Sequence, residues 1–424
     1  VTFDESVKYL LSLGNEVLAM KLGLENIARL LAALDHPQNN YFKVQVAGTN
    51  GKGSTCAFLE GICLAAGIKT GLTTSPHLVS ITERVRINGG DIGKKDFAQF
   101  ATKIRETSES LVAEGELEAV PTYFEQVTAL ALFAFAEAGV ELAILETGLG
   151  GRLDATTAAK ADIAVITRID YDHREILGHT LAEIAAEKAA IIRPGSKVVI
   201  APQKPEAAEV VEKFCAEKGV SFVRDFTADV VGLEYEEILL RVDFRTARAL
   251  YPDVHLGLRG RHQVENAGAA ILAAELLSQR FPISPENFIE GLRHAKHIGR
   301  LEFIGNFIFD GAHNAGGAKA LRAFLEEFVG PVTMVFGAMR DKDLAEITGS
   351  LFPMAERLIL TRPASERSVE TGELRKYAPA GIPVFECPTV AHALGKALDF
   401  GAPEDIVCIT GSLYLVGEAR KIIE

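Results

Sequence analysis

Residues 43–66 read KVQVAGTNGKGSTCAFLEGICLAA, and the rest of the chain is arranged around them. Lys43 to Ala47 alternates into a short apolar run, as a buried strand does. A glycine-rich turn follows: Gly48, Thr49, Asn50, Gly51, Lys52, Gly53 and Ser54. Beyond Thr55, residues Cys56, Leu59, Ile62 and Cys63 recur at helical spacing. Strand, glycine turn, lysine, hydroxyl and helix in that order describe a phosphate-binding loop. Glycines let backbone N–H groups approach an anion, and the helix start adds partial positive charge. Lys52 is placed for the β- and γ-phosphates, and the hydroxyl of Ser54 or Thr55 for a magnesium ion. An ordinary strand–turn–helix would use the glycines for the turn alone, and gives no reason for a lysine among them. The common pattern has a hydroxyl directly after the lysine. Here Gly53 intervenes, which points to a ligase-type variant rather than a standard ATPase or GTPase loop.

Composition narrows the classes open to the chain. Its 424 residues leave room for two or three domains. With 48% hydrophobic and 24% charged residues it has the balance of a globular protein with an ample core. A net charge of −13 argues against a nucleic-acid partner, which needs a basic face; a local basic pocket still suffices for anionic substrates. Cysteines stand at 56, 63, 215, 387 and 408, without C-x-x-C spacing. So scattered and odd a set forms neither a disulfide framework nor a zinc site, and a reducing cytoplasm fits it best. The opening VTFDESVKYL is too acidic for a signal peptide. The most apolar stretch, 127–145, carries Glu137 and Glu141 and is not expected to span a membrane.

Candidate residues gather where strands end. Two amphipathic helices, 3–13 and 24–34, precede the phosphate-loop strand. A strand over 69–73 runs into Thr74-Ser75-Pro76-His77-Leu78. Loops at the carboxyl ends of strands line the crevice of open α/β sheets, so Ser75 is within reach of a metal or substrate, or else forms the turn. Helices are expected at 95–113 and 122–138. The strand 141–145 closes on Glu146 and the cluster Gly148 to Gly151, the expected place for a magnesium ligand beside a phosphate loop. A strand over 163–169 ends in Asp170-Tyr171-Asp172-His173, so His173 shares that edge. In the helix 180–192, Lys188 falls on the apolar stripe of Leu181, Ile184, Ala185, Ile191 and Ile192. A lysine there must snorkel, pair or lose its charge. A neutral amine beside magnesium could also take up carbon dioxide and become an oxygen ligand.

Alternation continues at 197–200, 205–217 and 220–223, gives way to short antiparallel runs over 228–258, and resumes in a helix from near Gly260. There His262, Gln263 and Asn266 either meet a ligand or cap the helix. The basic stretch RHAKHIGR at 293–300 marks the expected boundary between a domain of residues 1–296 and a smaller one of 297–424. In the second, strands at 302–309, 332–336, 356–361, 383–386 and 405–410 alternate with helices at 314–327, 343–351, 370–377, 390–398 and 413–423, a mostly parallel α/β pattern. Its first strand ends in Asp310-Gly311-Ala312-His313-Asn314, its last crossover in Thr410-Gly411-Ser412-Leu413-Tyr414.

Taken in order, VAGTNGKGST, TTSPHL, ERVRING, ETGLGGRLDAT, DH…EKAAIIRPG, GRHQVENA, GRLE, DGAHN and TGSLYLVGE resemble folylpolyglutamate synthase and dihydrofolate synthase. These belong to the Mur-ligase superfamily of ATP-dependent amide-forming ligases, in which a glycine after the loop lysine is usual. The resemblance implies an α/β fold: an N-terminal P-loop ATPase-like domain of Mur ligase central type and a smaller C-terminal Rossmann-like domain, with the active site between. It implies that Gly48 to Thr55 bind ATP, with Lys52 and Ser54 on the phosphates. Ser75 and Glu146, joined by Ser54, would hold one magnesium ion, and His173 with a carbamylated Lys188 a second. Asn266 would meet adenine, Arg300 phosphate, Asp310 the ribose, and His313 phosphate or substrate. Lys52, His173, Lys188 and His313 form the catalytic set so implied. Phe124, Asp154 and Ala155 match the pterin region, and Ser412 and Tyr414 the pocket for incoming glutamate. A monovalent cation is left open. The implied partners are folate or dihydropteroate, L-glutamate and ATP, acting on a cytoplasmic monomer.

The implied chemistry is amide formation. ATP turns a carboxylate into an acyl phosphate, and the glutamate amine then displaces phosphate, leaving ADP. Three other readings compete. A P-loop phosphotransferase or NTPase would turn over without an amine. A ligase for peptidoglycan precursors would carry a further N-terminal domain for a uridine nucleotide, where about 40 residues precede this loop. A nucleotide-binding regulator would have no need of Lys52, Glu146, His173 and Lys188 together.

Overall fold

The computed structural model describes residues 1–14, 23–400 and 405–423. Among them three sheets form. The largest has eight strands, in the order Gly90–Asp91, Arg86–Ile87, Thr70–Thr73, Leu142–Glu146, Phe42–Ala47, Ile163–Ile166, Lys197–Ile200 and Phe222–Val223. From Thr70–Thr73 onward all are parallel; the two short edge strands are antiparallel. Parallel strands covered on both faces become continuous apolar runs, and Val44, Val46, Ile144 and Val165 are all fully buried. The phosphate-loop strand lies between Leu142–Glu146 and Ile163–Ile166. The chain reverses its sheet order there, at the switch point where such sheets open a crevice.

The loop helix Lys52–Ala65 packs on a helix the sequence reading left out, Pro285–His294. Its start was nevertheless written in the chain, since Ser284 caps it and proline occupies its first turn. Asn287 Nδ2 donates to the Ala65 carbonyl at 2.9 Å, which sets the two helices antiparallel. They cross backbone to backbone: a Cβ on Gly61 would lie 2.3 Å from the Gly291 carbonyl oxygen, and one on Gly291 2.3 Å from the Ile62 nitrogen. Gly61→Ala should therefore force the helices apart and cost about 1–3 kcal/mol. Urea unfolding checks this, and an unmoved midpoint would show that the crossing has slack.

Strands Phe226–Glu234, Leu239–Thr246 and Leu250–His255 form an antiparallel sheet that shares a core with the helix His262–Leu277 through Val242, Phe244 and Ile271. The third sheet has the order Glu302–Ile304, Phe307–Asp310, Val407–Thr410, Val332–Phe336, Ala355–Leu360 and Val384–Glu386, parallel except for its first strand.

Four expected elements differ. The strand 302–309 is a hairpin, turned at Gly305 with φ +59°. The strand begun at Ile163 stops at Ile166, because the Arg168 carbonyl accepts from the loop N–H groups of Thr49 (2.9 Å) and Asn50 (3.2 Å). The helix 180–192 is shorter, Leu181–Ala189. The helix 370–377 is one α turn, Thr371–Leu374, followed by a 3₁₀ turn. All five cysteines are buried free thiols. No helix among the described residues is long and apolar enough to cross a membrane.

Candidate active site

One cavity of about 450 Å³ lies where the two larger sheets face each other. The phosphate loop from Gly48 to Ser54 lines it, with Ser75, Glu146, His173, Lys188 and Asn266; from the other side come Arg300, Asp310, His313, Ser412 and Tyr414. Phe124 and Asp154 stand at its wall. Two expected residues do not. The Thr55 hydroxyl turns to the Asn266 carbonyl at 3.5 Å, and Ala155 is buried outside the wall.

The loop is shaped by Gly51, whose φ of +86° and a neighbouring Asn266 Oδ1 only 2.1 Å from any added Cβ leave no alternative to glycine. The helix begins at the next residue, so its N–H groups open into the cavity. Lys52 Nζ curls back to the Gly48 and Thr49 carbonyls at 3.2 and 3.3 Å. Lys188 Nζ donates to the same Gly48 oxygen at 2.9 Å. Lys188 therefore does not snorkel. Burial first, then the nearby Lys52 charge, push its ammonium down to about 7, so a large part is free amine at neutral pH. Burial likewise pushes His173 down to about 4, against the pull of Asp172, and leaves a neutral imidazole.

The chemistry of Ser75 and Glu146 fits a hard divalent cation. Ser75 Oγ is buried and has no hydrogen-bond partner among the described residues. Its own backbone N–H donates to Glu146 Oε2 at 3.2 Å, which brings the residue carrying that hydroxyl against the carboxylate. Burial pushes the Glu146 carboxyl up, opposed by Lys52, Ser75 N–H, Arg300 and Arg84. An orphaned hydroxyl beside a desolvated carboxylate is a donor set for magnesium. The His173 and Lys188 pair is different. Among the described residues no group of three His, Cys, Asp or Glu side chains is arranged to hold a metal ion, and an unmodified lysine amine cannot replace the missing oxygen donor.

On the far wall, Asp310 is held by the N–H groups of Leu301 (3.0 Å) and Ala312 (2.9 Å), and burial, opposed by Arg300, pushes its carboxyl up. His313 Nδ1 lies 2.7 Å from the Gly311 carbonyl; burial first, then Lys342, push it down to about 4. Ser412 Oγ accepts from Tyr414 N–H at 3.1 Å. Asp154 accepts from Leu149 N–H at 2.9 Å, and the Phe124 ring occupies the space a side chain at Gly148 would need.

Sequence reasoning missed three groups here. Asn314 caps the helix Ala315–Phe324, and its Nδ2 donates across the cleft to Asn50 Oδ1 (3.1 Å) and Asp172 Oδ2 (3.0 Å). Lys342 Nζ donates to Asp172 Oδ1 at 2.8 Å, both side chains nearly buried. Burial alone would raise the Asp172 carboxyl, but Lys342, His173 and His313 together hold it well below the usual carboxylate range. His297, from the basic stretch 293–300, also lines the cavity.

The family model of the Mur ligase middle domain matches residues 46–274, and that of the Mur ligase glutamate ligase domain residues 299–413. The chain is 35% identical over 99% of its length to a probable bifunctional folylpolyglutamate synthase/dihydropteroate synthase of Halobacterium salinarum, of which it spans about half, 51%. To the dihydrofolate synthase/folylpolyglutamate synthase of Bacillus subtilis it is 33% identical, covering 95% of each chain. Its fold matches the Escherichia coli FolC structure in complex with DHPP and ADP with a TM-score of 0.88 at 30% identity, over 100% of this chain and 98% of that one. With a phosphate loop, a paired hydroxyl and carboxylate, and a second lobe closing the same cavity, the chain belongs to the Mur ligase family, on its dihydrofolate synthase/folylpolyglutamate synthase branch.

Proposed function

We propose that the chain is an ATP-dependent ligase that joins L-glutamate to the carboxylate of dihydropteroate and of reduced folates, releasing ADP and phosphate. The observation that carries this reading is the shared cavity: phosphate loop, Glu146, His173 and Lys188 on one wall face Arg300, Asp310, His313 and Ser412 on the other. We place the lobes at residues 1–296 and 297–424 and the protein in the cytoplasm as a monomer.

In this scheme loop N–H groups and Lys52 receive the β- and γ-phosphates, releasing the Lys52 contacts to Gly48 and Thr49. Asn266 faces adenine, Asp310 the ribose, and Arg300 and His313 the phosphates. Phe124 and Asp154 bound the pterin end, while Ser412 and Tyr414 position glutamate. Ser54, Ser75 and Glu146 would hold one magnesium ion, and His173 with a carbamate on Lys188 another; bound there, the ions neutralise phosphate charge. The carbamate forms when the neutral Lys188 amine attacks carbon dioxide: an N–C bond is made, one C=O π pair moves onto oxygen, one proton leaves the nitrogen, and a neutral amine becomes an anion. The substrate carboxylate takes the γ-phosphoryl group, and the glutamate amine expels phosphate from the acyl phosphate. Closure of the lobes keeps water from that intermediate.

The test is a nucleotide assay with carboxylate and amine omitted in turn, offering dihydropteroate and tetrahydrofolate separately. Stoichiometric ADP and phosphate, only when both substrates are present, is the expected result. AMP as product, or full turnover without the amine, would overturn the ligase reading; failure on dihydropteroate alone would remove the synthase half.

A further inference from the structure

We propose that His297 is a positioning residue for the nucleotide, reaching from the connection between the lobes onto Gly53 and Ser54 and tying lobe position to the phosphate loop. The inference rests on the reading that this loop binds ATP.

The first observation is space. Gly53 lies in the helix Lys52–Ala65, and its backbone does not demand glycine. A Cβ there would nevertheless stand 2.4 Å from His297 Cε1 and 2.9 Å from its Nε2. The imidazole occupies the place where residue 53 would otherwise carry a side chain. The glycine between Lys52 and Ser54 is thus the seat of the ring. Glu146 Oε1, 3.4 Å from the same point, flanks it. His297 Nδ1 lies 3.4 Å from Ser54 Oγ, a long hydrogen bond to a hydroxyl assigned to phosphate and metal.

The second observation is how the ring gets there. The helix Pro285–His294 runs antiparallel to the loop helix and is locked to it at Gly61 and Gly291, so its end arrives at the phosphate loop. The turn beyond it is fixed to the first lobe: Gly257 N–H donates to the Leu292 carbonyl at 2.9 Å, and a Cβ on Gly257 would meet the Arg293 and Ala295 carbonyls at 2.4 and 2.6 Å. By Gly299 the chain already belongs to the second lobe, whose Gly311 N–H donates to the Gly299 carbonyl at 2.9 Å. His297 sits between these two anchors. Rotation of the second lobe must bend the chain across it and shift the ring against Gly53.

A double-mutant cycle read by calorimetric ATP binding and by steady-state kinetics tests this. His297→Ala should weaken ATP binding and raise KM for ATP about 10-fold, with little change in KM for glutamate. His297→Asn, which keeps a polar atom at the Nδ1 position, should restore binding to within about 3-fold of the unmodified protein. Gly53→Ala should weaken binding on the order of 30-fold alone, but only about 3-fold in the His297→Ala background, where the methyl group has room. Additive effects of the two substitutions, or an unchanged KM for ATP in His297→Ala, would overturn the role of His297. Absence of ATP binding by the unmodified protein would instead overturn the assignment of the loop itself.

Discussion

Lys188→Ala should leave the fold intact and slow ligation by on the order of 10³-fold. The side chain is buried, its amine donates to Gly48, and among the described residues no ready-made metal-holding group of His, Cys, Asp or Glu could take over its place. If the amine works as a carbamate, short carboxylates added to the alanine variant should recover part of the rate. Carbon-13 bicarbonate should label the unmodified protein and not the variant. A variant with undiminished turnover, or an unmodified protein that never labels while fully active, would end this account. Stability should move the other way. The folded-state value near 7 lies below the ordinary lysine value of about 10.4, so the unfolded chain binds the extra proton between them. Burial therefore penalises the native protein fully below about pH 7, and the penalty fades as pH rises towards 10.4. In buffer free of carbon dioxide, Lys188→Met should melt higher than the unmodified protein at about pH 6, with the gap closing at alkaline pH.

Lys342→Ala should destabilise the docked lobes by about 3–5 kcal/mol, because it strands the Asp172 carboxylate in a site that water scarcely reaches. Asp172→Asn on top of it should return most of that loss, since an amide can still accept from Asn314 and carries no charge to compensate. The sign with pH follows from the depressed Asp172 carboxyl. Its contribution is whole above about pH 4 and disappears as pH falls towards the folded-state value. Lys342 also disfavours protonation of His173 and His313, so its removal should move both imidazoles up in an NMR titration. Unmoved imidazoles together with unchanged urea unfolding would show that the pair does not join the lobes.

Most of the architecture was legible because it is local. Alternating apolar strands and amphipathic helices announce themselves within a few residues, and Ser75, Glu146, His173 and Asp310 each lie at or beyond the end of a strand that can be recognised alone. Errors fell where tertiary demands cut across a periodic pattern: Ile163–Ile169 had to give up its end to serve the loop amides of Thr49 and Asn50. The missed site residues share one cause. Asp172 and Lys342 are 170 positions apart, and His297 lies 243 beyond Ser54. Nothing near Lys342 separates a cleft lysine from a solvated one, and the stretch around His297 reads from its composition only as a connection.

The interlocked glycines at 61 and 291 bear on how such enzymes can be recombined. The helix Pro285–His294 is keyed into the helix that follows the glycine-rich loop, so the two lobes are not modules that part cleanly at the covalent joint. A chimaera spliced ahead of Pro285 would import a foreign key for that lock. One spliced beyond Arg300 keeps Gly291, His297 and the loop they serve within a single ancestry.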